Sequence, residues 1–368
     1  MTPPPASTTK GSPHFGDITV ISLLISVLVL LIAYIAIRPR FSQGRLSVDQ
    51  LSDLTAEEVS LLPAGTLPVV LGRGLADNKD SFKIQLLRLV MERSGVPHAI
   101  GFSASPIAQD AAVDALASGA RSGAENPQAI TVGVYGAGPA LNQRLRAIPI
   151  PISGGLLGLR VGWTHRESLA KLSAVQNLAD LRRVTLLQGQ GWSELGLFDH
   201  SGLRTYAAPP QYLFRLVAEQ RVELFPQGIG DLQVQQPTAA KWSDTIEIEP
   251  HLLIAYPFAG FFYVNPGNDA LAEAIALGFE RAIADGSYHR LVERLIFTPW
   301  LRQNLRLNQR SLVVLPNPVA ASVLADVEPR YWLLPWGDLL GDSSSMTRTT
   351  VTGADLCVTP ALRVLCSD

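Results

Sequence analysis

Between residues 65 and 315 the chain repeats one pattern, a short apolar β-favouring run followed by an amphipathic stretch. Leu67 to Leu71 is a compact apolar run that reads as a strand, with Gly72-Arg73-Gly74 as the loop after it. Residues 81–94 put Phe82, Leu86, Leu89 and Val90 on one helical face; Gly95 supplies the cap and Pro97 blocks continuation. A second strand is predicted at His98 to Phe102, a second helix over 106–118, and a third strand from Ile130 to Tyr135. This β-α-β-α-β order predicts an α/β fold with a parallel sheet.

The pattern resumes after Pro149 and Pro151. Strands are predicted at 156–163, 184–187, 203–206 and 222–225, and a helix over 210–220. The run HLLIAYPFAGFFYV at 251–264 predicts two short strands broken at Pro257. Residues 270–284 predict a helix with Leu271, Ile275, Phe279 and Ile283 aligned and Gly286 as its cap, and 291–297 a further helix. Residues 316–368 are rich in Pro and then in Ser and Thr, and read as a strap lying on the body and ending in a disordered tail.

The amino end follows other rules. Residues 1–17 are rich in Pro, Ser and Thr and are expected to be disordered. Residues 18–37 carry no charge and are dominated by Ile, Leu and Val. At about 1.5 Å per residue they span roughly 30 Å, the thickness of a bilayer core. This predicts one transmembrane helix, uncleaved because no small-x-small pattern follows it, with 38–64 as a juxtamembrane linker. Arg38, Arg40 and Arg45 follow the span while only Lys10 precedes it, a bias that favours a cytoplasmic carboxyl-terminal flank.

A length of 368 residues leaves room for two domains, and 47% apolar with 17% charged residues supports a packed core. A net charge of −2 without a basic, aromatic-interleaved stripe argues against nucleic acid. Cys357 and Cys366, the only two cysteines, exclude a cysteine metal cluster and a disulfide-stapled fold; they either pair or stay free thiols. The six histidines are scattered without metal-ligand spacing, and no nucleophile elbow or P-loop is present. The chain is therefore expected not to be an enzyme and to need no cofactor.

The stretch ITVGVYGAGPALNQRLR at 130–146 reads as strand, glycine turn and helix start, the construction that places a ligand at the carboxyl end of a sheet. A dinucleotide fingerprint needs a third small residue, and Leu141 stands there; it also needs an acid about 20 residues on, and 150–163 holds none. A flavin or nicotinamide oxidoreductase is thereby disfavoured, and the wall of a solute cleft is the better reading.

Asn177-Leu178-Ala179-Asp180-Leu181, with Val184 and Gly189, resembles the opening of the second lobe in periplasmic solute-binding proteins of ABC transporters. Ala284-Asp285-Gly286-Ser287-Tyr288 is similar to a turn near their carboxyl end, and Leu116 to Gly119 and Leu216 to Glu219 fall where they count off α/β units. The resemblance is to the family-three, polar amino acid type, and covers 65–312. It implies two α/β lobes, 65–152 with 258–315 and 153–257, that close on a ligand about a hinge. It also implies a periplasmic body and an ABC permease as partner, against the charge bias above. Sensing, or a scaffold with a degenerate cleft, is the alternative.

Under that resemblance the ligand contacts are Arg73 and Asn78 in the first strand-to-helix loop, Tyr135 and Gly136 at the third strand, and Arg144 as a clamp on a carboxylate. Leu141 stands where the family carries the Thr of its Thr-x-x-Arg, and Arg146 is a rival clamp. Gln190, Gly191, Trp192 and Ser193 form the opposite jaw, where a glycine turn presents N–H groups and Trp192 offers a stacking face. Gln227 stands near the position of a family Asp, and Glu223 is the nearest acid considered. The expected solute is small and polar, anionic or amino-acid-like.

Overall fold

The computed structural model describes residues 54–74, 77–120, 123–242, 244–334, 336 and 352–366. The anchor expected at 18–37, the segment 1–17, the linker up to residue 53 and residues 337–351 of the tail lie outside the described residues. All described residues belong to one compact unit, Ser47–Asp368. No helix among them is long and apolar enough to cross a membrane.

After α1 (Ala56–Ser60), held by a Thr55–Glu58 capping box, come β1 (Leu67–Leu71), α2 (Phe82–Ser94), β2 (His98–Phe102), α3 (Gln109–Ser118), β3 (Val132–Gly136), α4 (Pro139–Asn142) and β4 (Arg146–Ile148). With β11 (Gly260–Val264) these strands make the first sheet, in the order β2-β1-β3-β11-β4. β1, β2 and β3 are mutually parallel, and β11 runs antiparallel to β3 and β4. Strands covered on both faces must be apolar throughout, and β1 and β11 are.

The second sheet takes β5 (Leu159–His165), β8 (Phe225–Gly228), β9 (Ile246–Ile248), β10 (Leu252–Ala255) and β12 (Ser311–Val314), ordered β12-β10-β5-β8 with β9 also on β5. β6 (Thr185–Gly189) and β7 (Arg204–Ala208) form a parallel pair joined to it by a bridge from Leu186 to Leu224. Its helices are α5 (Leu169–Ser173), α6 (Leu178–Leu181), α7 (Glu194–His200), α8 (Leu213–Ala218) and α9 (Leu232–Ala239). The chain thus leaves the first sheet after β4, returns between β10 and β11, runs through α10 (Asp269–Ala284), α11 (Ser287–Leu295) and α12 (Pro299–Leu305), and comes back as β12.

Several expectations are corrected. α4 stops at Asn142 and Arg146 opens β4, so the predicted helix start lasts one turn. The strand expected at 222–225 forms at Phe225–Gly228, because Val222 is already core and Leu224 makes only an isolated bridge. β12 joins the second sheet, although 258–315 was assigned to the first lobe. The buried Arg310 explains it: its guanidinium donates to the carbonyls of Glu249 (2.7 Å) and Leu252 (2.9 Å), tying the start of β12 to β10. Burial lowers this guanidinium to about 10, with Glu249 opposing the shift. The tail also departs from the expected disorder. Residues 352–366 form α14 (Gly353–Leu356) and a Cys357–Cys366 disulfide, and Gly353 N–H donates to Arg310 at 2.9 Å.

Helix α10 lies on α2 so closely that a Cβ at Gly278 would fall 1.8 Å from the Val90 carbonyl oxygen. Overpacking of this kind costs about 1–3 kcal/mol. Gly278→Ala is expected to lower the unfolding free energy by that amount, read as a lower urea midpoint at an unchanged m-value; an unchanged midpoint would show that the helices can part.

Candidate functional site

Four segments at carboxyl ends of strands are linked by contacts: residues 72–74 and 77–78 after β1, Gly136 to Gly138 after β3, Gly189 to Ser193 after β6, and Gly228 to Asp231 after β8. Two hydrogen bonds join the first lobe, the part built on the first sheet, to the second. Ser193 Oγ–H donates to the Gly136 carbonyl at 2.7 Å, and Gln109 Nε2–H to the Gly191 carbonyl at 3.0 Å.

Beside these loops lies Arg160, near the start of β5 and 3% exposed. A buried cation must be paired. Its guanidinium hydrogen-bonds the carboxylate of Glu194, the equally buried first residue of α7. It also lies 5.7 Å from the ring centroid of Tyr256 and 5.6 Å from that of Phe258. Burial works against the Arg160 charge, but Tyr256, Glu194 and Asp231 together outweigh it and raise its pKa. Arg160 Nε and the Tyr256 hydroxyl are both buried without a hydrogen-bond partner. Burial also pushes the Tyr256 hydroxyl upward, against the charge of Arg160.

Asp231 completes the group. A Cβ built on Gly228 would lie 2.9 Å from Leu157 Cδ1, 3.0 Å from Asp231 Oδ2 and 3.7 Å from Arg160 Nη1, which puts the carboxylate and the guanidinium beside the same strand end. Asp231 is exposed, immediately before α9. Desolvation by the surrounding protein raises its pKa above the ordinary aspartate range; Arg160 and Lys83 oppose the rise, and Asp77 and Glu194 add to it. Lys83 and Asp77 come from the first lobe and are already paired, Nζ to Oδ2 at 2.7 Å. Among the described residues no side chain hydrogen-bonds or ion-pairs with the Asp231 carboxylate.

The residues expected from the sequence are placed unevenly. Arg73 donates to the carbonyls of Ser103 (2.8 Å) and Ala104 (2.6 Å) and so braces the loop after β2. Asn78 Oδ1 accepts from Asp80 N–H at 2.8 Å, within its own loop. Tyr135 is buried 5.9 Å from the ring of Tyr263, its hydroxyl pushed up by burial. Gly136 is forced by packing: a Cβ there would meet Phe258 Cζ at 2.4 Å. Arg144 pairs with Asp114 on α3 at 2.6 Å, on the surface, and Arg146 with Asp269. Neither reaches the Arg160 group. Trp192 folds back over Gly189, whose Cβ would lie 2.2 Å from Trp192 Cε2, and packs beside Phe225. Gln190 and Gly191 remain exposed on the jaw. Gln227 is buried and accepts from Gln235 Nε2 at 2.5 Å. Glu223 binds Lys171 at 2.7 Å on the surface.

Arg160, Glu194 and Asp231 are absent from the expected set. Two of them left a signal. Arg160 is the one charge in the apolar run 156–163, and a charge inside a buried strand requires a partner. Asp231 lies three residues past Gly228, the end of a strand that forms three residues later than its apolar run predicts. Among the described residues no group of three or more His, Cys, Asp or Glu is placed to hold a metal.

No family model matches the sequence, and no curated protein matches it. Solved structures do match in shape. An ancestral arginine-binding protein bound to arginine is 16% identical, covering 63% of this chain and 98% of its own, with a TM-score of 0.45. A binding component of an ABC transporter from Wolinella succinogenes, complexed with lysine, is 14% identical over 65% of this chain and 98% of its own, at 0.46. A histidine kinase sensor domain with similarity to periplasmic binding proteins is 14% identical over 63% and 96%, at 0.45.

This chain is similar in structure to amino-acid-binding proteins of ABC transporters. At such identities and scores their chemistry is not transferred; the reading of the cleft rests on its own strands and side chains.

Removing one member of a sealed ion pair strands the other and costs about 3–5 kcal/mol. Glu194→Ala is expected to lose that much stability in chemical denaturation, whereas the double replacement Arg160→Met with Glu194→Leu is expected to recover most of it. A loss of about 0–1 kcal/mol, typical of an exposed pair, would show that water reaches the guanidinium.

Proposed function

We propose that the protein is a solute-binding protein whose two α/β lobes close on a small polar molecule carrying an amino or guanidino group. The observation that carries this is the Asp231 carboxylate, exposed and unpaired beside loops where Arg160 is neutralised by Glu194 and Lys83 by Asp77. A carboxylate left unpaired in such a place favours a cation. The two arginines expected to hold an anion are engaged by Asp114 and Asp269, which shifts the proposed ligand from anionic to cationic or zwitterionic. Closure about the two chain crossings is the motion that suits such a cleft.

The body is proposed to work outside the cytoplasm, held to the membrane through residues 18–37. The Cys357–Cys366 disulfide supports this side, because disulfides persist in oxidising compartments. It outweighs the arginine bias around the apolar run, since a few charges only tilt orientation. Delivery to an ABC permease or reporting to a sensor both follow from the same closure. A fusion of alkaline phosphatase to the carboxyl terminus is expected to be active, and an inactive fusion would place the body on the cytoplasmic side.

The ligand class is tested by thermal shift of the purified body against arginine, lysine, simple diamines, glutamate and inorganic phosphate. A ligand at 100 times its Kd stabilises by about 2.7 kcal/mol. Shifts are expected with the cationic compounds and not with phosphate, and Asp231→Asn is expected to abolish them. The pH dependence has a fixed sign. A carboxyl with a raised pKa takes up its proton at milder acidity, so affinity for a cation is expected to fall on acidification sooner than with an ordinary aspartate. Binding of phosphate alone would overturn this ligand class.

A further inference from the structure

We propose that residues 315–336 are a clamp on the hinge, which holds both chain crossings and must move whenever the cleft opens or closes. The proposal does not depend on which solute the cleft takes.

The strap touches both lobes in sequence. It leaves β12 in the second sheet, where Leu315 N–H donates to the Ala255 carbonyl at 2.8 Å. The buried Asn317 then donates from Nδ2 to the Pro257 carbonyl at 2.8 Å, on the second crossing. Val319 approaches Gly196 of α7, in the second lobe, and α13 (Ala321–Leu324) packs against α4 of the first. Next, Arg330 grips Glu280 of α10 with two bonds, at 3.0 and 2.7 Å, and the Tyr331 hydroxyl donates to the same carboxylate.

The strap ends on the first crossing. Leu333 N–H donates to the Gly154 carbonyl at 2.9 Å. Gly154 and Gly155 have φ of +58° and +87°, and a Cβ on either would collide, with Leu333 Cγ at 2.3 Å and with Trp332 and Trp336 at 2.7 Å. At Gly158 the same construction meets Tyr256 O at 2.1 Å and Trp336 at 2.7 Å. The two crossings therefore lie against each other with the indole of Trp336 over them. They are joined by bonds from Tyr256 N–H to Gly158 (3.0 Å) and from Ile152 N–H to Gly260 (2.9 Å).

Between its anchored ends the strap buries Val323 and Val327 against the body and borders an open pocket of about 240 Å³ beside Asn142, Arg146 and Phe261. A segment fixed in this way to both crossings has to shift when one rotates against the other.

The test is hydrogen exchange with small-angle scattering on the full-length protein, comparing wild type with Trp332→Ala and with Arg330→Ala/Tyr331→Phe. The second variant cuts the anchor on Glu280, together with the exposed Arg330–Glu328 pair within the strap, and decides the matter if the first does not fold. Loosening the clamp is expected to speed exchange about tenfold at Leu333, and also at Tyr256 and Ile152, by making local opening easier. Strands β1 and β6 should be unchanged, and the scattering should show a wider spread of distances. Unchanged exchange at Tyr256 and Ile152 in every folded variant would overturn the proposal and leave the strap a passive cover.

Discussion

A guanidinium with no access to bulk water constrains everything around it. Arg160 stands inside an apolar strand, so its charge has to be met by groups brought from elsewhere in the chain. Glu194 meets it, which fixes where α7 begins and so where the turn Gly189 to Ser193 must run. That turn carries Ser193 to the Gly136 carbonyl. The rings of Tyr256 and Phe258 lie on the other side of the same cation, and Phe258 in turn leaves room only for glycine at 136. Both jaws of the cleft and the second chain crossing are thus referred to one side chain.

The electrostatics of the cleft follow from who is already paired. Arg160 with Glu194 and Lys83 with Asp77 close their accounts within the protein. Asp231 is left, with a pKa raised by its surroundings and water still at its surface. Arg144 and Arg146 are spent on Asp114 and Asp269 at the surface, and α4, one turn long, ends two residues before Arg144.

The glycines of residues 136–138 show how far a motif can mislead. In sequence they suggest a phosphate cradle. In the folded chain Gly136 is required by the Phe258 ring, and a Cβ on Gly138 would lie 3.5 Å from Ser193 Oγ. The same holds at the first chain crossing, where Gly154, Gly155 and Gly158 are explained by the strap and by Tyr256. Glycine marks a close approach of something, and the sequence does not say of what.

Periodicity alone located β1 and β2 to the residue, placed α2 and α10 within one residue, and put the two strands on either side of Pro257, since these segments bury a face or a whole strand whatever their neighbours are. It also marked Gly136 to Gly138 and Gly189 to Ser193 as turns at strand ends, which the fold brings together through the Ser193 bond to Gly136. It missed β4, β9 and β12, which are three or four residues long and gain their stability from a partner strand far away in the chain. The disulfide was left open for a similar reason: two cysteines nine apart pair or not according to how the tail docks on Arg310. Which charges face each other, and hence which carboxylate remains for a ligand, was decided only by the tertiary structure. Ion pairs such as Arg160 with Glu194 or Arg146 with Asp269 join residues 34 and 123 positions apart, and no local pattern encodes them.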